Sequence, residues 1–104
     1  MPTPSSSEVV FYSRSTVAPI VAFAEGTDVS GLELWVRFAP NRTARAQVEL
    51  ALTQVSATQF TFTLTPAHLA IIKTGWAMDV VDTVSGLPVA QSSVVVQDVI
   101  RAQA

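Results

Sequence analysis

The chain has 104 residues, eight acidic side chains against six basic ones, no cysteine, and only 13% charged residues. An average soluble domain is about 25% charged, so half the usual supply is missing, while the apolar share stands at 49%. Zero cysteines exclude a disulfide framework and every thiolate metal site, and a net charge of −2 argues against a nucleic-acid binder, which carries a basic patch and a high pI.

Residues 1–7 are Pro/Ser-rich and uncharged. They lack the basic start of a secretory signal and read as a flexible N-terminal arm. Residues 8–104 are expected to form a single domain, the natural count for this length. Glu8 to Arg14 and Val17 to Phe23 give one or two strands, the second confined to an edge or a bend because Pro19 cannot donate to a ladder. No stretch approaches the roughly 18 apolar residues of a transmembrane helix, so no membrane is expected as a partner.

From Leu32 the period is two. Leu32, Leu34, Val36 and Phe38 alternate with Glu33, Trp35 and Arg37, which predicts a strand with one buried face. Ala39-Pro40-Asn41 breaks it with turn residues. Ala44, Ala46, Val48, Leu50 and Leu52 then alternate with Arg45, Gln47 and Glu49, predicting a second strand over that whole run. Gln54 to Thr58 reads as a connection. Phe60, Phe62 and Leu64 share one face of a third strand, with Thr61 and Thr63 opposite.

Thr65-Pro66 changes the grammar. Threonine caps helices well, and proline suits the first helical position. Pro66 to Lys73 is predicted as two turns of helix, stopped by Gly75 in a left-handed conformation. Trp76 to Val81 resumes a strand, with Ala77, Asp79 and Val81 on one face. Val84-Ser85-Gly86-Leu87 reads as a hairpin turn, and a valine-rich last strand runs from Val89 to about Ile100. Six or seven short strands with regularly spaced turns and one short crossover helix predict an all-β, antiparallel, immunoglobulin-like β-sandwich.

No constellation in the sequence carries chemistry. His68 is the sole histidine and lies in the predicted helix, where it reads as structural or solvent-facing, since acid–base work needs a positioned partner. Asp79 and Asp82, three apart on a strand, point to opposite faces, and Asp82 is expected at the hairpin end. Glu25-Gly26-Thr27-Asp28 reads as a turn rather than a calcium loop, which needs more oxygens. Arg37, Arg42 and Arg45 are flanked by Glu33 and Glu49, a mixed-sign solvated face rather than a phosphate site. Asn41-Arg42-Thr43 matches a glycosylation acceptor, a motif short enough to occur by chance. Serines lack both a nucleophile-elbow context and a neighbouring base, and no glycine-rich phosphate loop exists. No catalytic residue, metal ligand or cofactor is therefore assigned. Trp35, on the predicted outer face between Glu33 and Arg37, is either covered by another part of the fold or a contact for a partner, and it heads the contact candidates because tryptophan and arginine anchor interfaces. Tyr12, Arg37 and Val81 complete the candidate interface set.

From about Val29 to Ile100 the order of parts is a glycine turn, two alternating strands, Phe-Thr-Phe-Thr-Leu, Thr-Pro with a short helix, a glycine, an Asp-x-x-Ser-Gly hairpin and a valine-rich strand. This resembles the small β-sandwich domains of tailed-bacteriophage virions, found in capsid decoration and minor capsid proteins and at the start of head-fibre and upper-baseplate proteins. The resemblance implies a non-enzymatic virion structural protein, made in the host cytoplasm. Its implied partner is the major capsid protein or a tail or baseplate protein, with self-association or lattice binding. Fibre and baseplate members continue into a shaft, and this chain stops at Ala104, so decoration or cementing of the capsid surface is the first expectation and a tail, baseplate or fibre-attachment adaptor the second. A carbohydrate-binding adhesin module presenting Trp35 and Tyr12 to a sugar is the third.

Overall fold

The computed structural model describes residues 7–98. Strand β1 spans Ser7–Tyr12, β2 Ile20–Ala22, β3 Leu34–Ala39, β4 Val48–Ala51, β5 Thr53–Ser56, β6 Gln59–Thr61, β7 Ala77–Asp82 and β8 Leu87–Gln97, with helix α1 over Pro66–Ile71 between β6 and β7. They form a five-stranded sheet in the order β1-β8-β7-β3-β4 and a three-stranded sheet in the order β2-β6-β5. Two sheets in this topology, with β3, β7 and β8 as the central group of one and β2, β6 and β5 as the other, make an immunoglobulin-like β-sandwich.

Alternation on β3 sets the layers. Leu34, Val36 and Phe38 are buried, while Trp35, Arg37 and Ala39 turn outward. Their register partners Met78 and Val80 on β7, and Val48 on β4, bury the same face. Phe60, Phe62 and Leu64 meet them from the second sheet, and Leu69 and Ile72 close the core from the helix end. Phe38 is fully buried at the centre. Its ring stands edge-on to Phe11 at 6.2 Å and to Phe62 at 6.3 Å, the perpendicular packing that the aromatic quadrupole favours.

Helix α1 begins as the Thr-Pro pair dictates. The His68 N–H donates to Thr65 Oγ1 at 3.4 Å, and the Thr65 N–H donates back to His68 Nδ1 at 3.1 Å. That reciprocal pair is a capping box with histidine in the place glutamate usually takes. The imidazole is thus a structural part, its Nδ1 accepting the Thr65 N–H.

Five expectations need correction. The all-antiparallel reading fails at one pair, because β1 runs parallel to β8, Ser7 opposite Ser92 through Tyr12 opposite Gln97. Eight strands form among the described residues rather than six or seven, since Gln54 to Ser56, expected as part of a connection, lies in β5. Ala44 to Gln47 is not strand. It closes the loop after β3, and the Gln47 N–H returns to Phe38 O at 2.8 Å. Gly75 does not stop the helix. Ile72 caps α1 in an extended conformation, and Gly75, at φ +92°, turns the chain into β7 while its N–H donates to Val94 O at 2.8 Å. Ser7 belongs to β1 rather than to the arm. The rest of that arm, residues 1–6, and the expected end of the last strand at Ile100 lie outside the described residues.

Candidate docking face

The outward face of the five-stranded sheet collects the residues singled out by pattern. Register places Trp35 beside Val81 on β7 and Ala51 on β4, and the next outward row is Arg37 between Asp79 and Glu49. Arg37 Nε lies 3.4 Å from Glu49 Oε2 across the strands. The loop after β3 folds back over this row, so that Arg42 pairs with the Asp79 carboxylate and donates from Nη2 to Ser92 O at 3.1 Å. Both carboxylates of the row are therefore neutralised by arginines. An open basin of about 540 Å³ lies here, floored by Ala39 and Ala77 and walled by these ion pairs.

Beyond the charged row the surface turns apolar. Trp35 is 36% exposed and Val89 40%. Val84 and Leu87, in and beside the β7–β8 hairpin, are 68% and 65% exposed. Register sets the hairpin end one row from Trp35, and Leu87, paired through Asp82 with the core-facing Leu34, projects there from the opposite side of the sheet to Trp35. The Thr83 N–H donates to Glu33 O at 2.9 Å, which ties the hairpin to the segment leading into β3.

Asp82 holds that hairpin. Its Oδ1 accepts from the Glu33 and Val84 N–H groups at 3.2 Å each, and its Oδ2 from Ser85 Oγ at 3.1 Å. Burial works against the ionised form, and these hydrogen bonds outweigh it, leaving the carboxyl below its ordinary pKa. The apolar tip is thus displayed on a turn whose backbone donors are tied down.

The candidates separate on this surface. Trp35 and Arg37 sit together on β3, Trp35 exposed and Arg37 half-covered. Val81 does not belong with the exposed set, being only 7% exposed. It occupies a central strand between Trp35 on β3 and Pro88 on β8, whose side chains overhang it. Tyr12 is exposed but lies on β1 at the far edge, opposite Gln97. Three strand spacings and roughly eight residues along β8 separate it from Trp35, on the order of 30 Å, so the two aromatics do not share a groove. Val84, Leu87 and Val89 were missed by sequence reasoning, which took them for turn and strand. Apolar residues on both sides of a turn glycine were the available signal, because turns ordinarily draw polar residues.

Other sequence candidates resolve into local structure. The Asp28 carboxylate accepts from Ser30 N at 3.0 Å and from Ser30 Oγ at 2.6 Å, which lowers its pKa. Asn41 Oδ1 likewise accepts from Thr43 N and Oγ1. Both are side-chain-closed turns. Among the described residues no group of three or more His, Asp or Glu side chains is placed to hold a metal ion. No described helix is long and apolar enough to cross a membrane.

No family model matches the chain, and no curated protein matches it. Among solved structures, the extracellular domain of the voltage-gated sodium channel β4 subunit is similar at 13% identity. That match covers 96% of this chain and 98% of the other, with a TM-score of 0.48. The immunoglobulin-like domain of mouse leukocyte-associated immunoglobulin-like receptor 1 is similar at 14% identity, over 92% and 94% of the two chains, with a TM-score of 0.47.

Proposed function

We propose that this is a non-enzymatic structural protein of a tailed-phage virion, one that binds the major capsid protein and decorates or cements the capsid surface. The observation that carries a docking role is the exposed apolar surface at one end of the sheet, Trp35 on its outward face with Val89 on β8, and Val84 and Leu87 in and beside the adjoining hairpin. Exposed apolar surface with a polar rim marks a protein contact, and a central aromatic anchor supplies most of the energy in such contacts. The fixed pairs Arg37–Glu49 and Arg42–Asp79 supply the rim. The virion setting draws its support from the order of strands, cap, helix and hairpin in the sequence.

Quantitative mass spectrometry of purified particles against their major capsid protein tests this. A fixed ratio, approaching one copy per capsid subunit or per capsomer, is expected. A few copies per particle would replace capsid decoration with the tail, baseplate or fibre-attachment role. Absence from particles would overturn the virion reading altogether. A sugar-binding role has lost its main support, because Trp35 and Tyr12 do not form one platform.

A further inference from the structure

Among the described residues the two sheets present four edge strands, and three of them are poor templates for pairing. β2 has three residues and follows Pro19, β4 has four, and β5 has four with a register shift. Short, bulged or proline-flanked edges are the usual protection against unwanted strand addition. β1 has none of these protections. It is six residues long, pairs with β8 without a register shift, and carries Glu8 as its single charge.

The backbone of β1 also fixes what its open side offers. The Ser13 N–H donates to Gln97 O at 2.8 Å. Backbone groups alternate sides along a strand, so Val9 and Phe11 bond toward β8, and Glu8, Val10 and Tyr12 turn their N–H and C=O groups to the open side. The same three residues point their side chains to the outward face, where Val10 is 40% and Tyr12 48% exposed.

We propose that β1 is a self-association edge, pairing antiparallel with β1 of a second copy across a two-fold axis at Val10. In that register Val10 meets Val10 of the second copy, and Glu8 meets Tyr12 of the second copy at each end. All three outward-directed backbone pairs close together. Glu8 then lies beside a phenol rather than beside the other Glu8, so the single charge of the strand is never set against itself. Val9 and Phe11 continue to face the core. An apolar cleft of about 240 Å³ runs between the β1 and β2 edges, lined by Val9, Phe11 and the exposed Ile20 among others, and the second copy covers its mouth. The contact is isologous and closes at two copies. It uses a different part of the molecule from the Trp35 surface and stands whether or not the protein docks on a capsid.

The test uses the isolated protein. Light scattering against concentration is expected to show a monomer–dimer equilibrium. The chain has no cysteine, so Val10→Cys introduces a single thiol. On oxidation it is expected to form a covalent dimer, because hydrogen-bonded antiparallel partners sit about 5.5 Å apart at Cα, within disulfide reach. Mixing Glu8→Cys with Tyr12→Cys is expected to give the mixed dimer ahead of either homodimer. Val10→Lys sets two like charges face to face and is expected to raise the dissociation constant about tenfold or more, with the circular dichroism spectrum retained. If that variant loses its native spectrum, the Val10→Cys cross-link alone decides. A monomer at every concentration reached, a Val10→Lys dimer of unchanged affinity, or equal cross-linking through Val55→Cys on the β5 edge would each overturn the proposal.

Discussion

Phe38 concentrates the stability of this small core in one side chain. It is fully buried and touches rings from both sheets. Phe38→Ala is expected to cost about 3–5 kcal/mol in urea denaturation, as cavity formation adds to lost transfer energy. Domains of this size hold about 5–15 kcal/mol in total, so the variant should sit near the edge of folding. Asp82 is a second single-residue dependence, of a different kind. Its folded pKa lies below the ordinary value of 3.8, so the ionised form is favoured by folding. The stabilisation is complete above that value and is lost as pH falls through the lower folded pKa. Asp82→Asn is therefore expected to lower the melting temperature at pH 7 and to flatten its fall in acid below about pH 4. An unchanged acid limb would show that other carboxylates carry it.

The elements that the sequence made legible are those whose instructions are local. Outward Trp35 and Arg37 alternating with buried Val36 and Phe38 announce β3. Thr65-Pro66 announces the helix start, and the Ser85-Gly86 pair announces the hairpin, where Gly86 takes φ +76°. Thr65→Ala tests the first of these, removing the hydroxyl that accepts from His68. It is expected to cost about 1 kcal/mol in thermal unfolding, and an unaffected melting curve would show that Pro66 alone sets the start. β5 left no such trace, because Thr53–Ser56 is exposed throughout and shows no alternation. The overlong reading of β4 has the opposite cause: Ala44 and Ala46 keep the period of a strand while lying in a loop. Parallel pairing of β1 with β8 is invisible locally, since it rests on partners distant in sequence. Burial of Val81 is unreadable for the same reason, because neighbouring strands decide it.

At the scale of the whole molecule, one face is the proposed docking surface and one edge the proposed pairing strand. Trp35→Ala separates display from stability. Trp35 lies outside the buried core but covers Val81, so the variant is expected to stay folded while losing about 1–2 kcal/mol. Under the proposed capsid role, co-sedimentation of the variant with capsids should fall at least tenfold, as hot-spot tryptophans do. A loss of fold in Trp35→Ala would make the residue a core part and move the docking surface elsewhere.

The parallel union of β1 with β8 also dictates an order of events. Ser7 and Ser92 are register partners, so β1 must wait for the later-synthesised β8 before it can be placed. Until then Phe11 has no β8 neighbour to lie beside, and the nascent chain carries an unfinished sheet. Closing a loop that nearly spans the chain costs entropy before any contact returns it. Closing that loop is expected to place folding in the millisecond-to-second range of β-sandwiches.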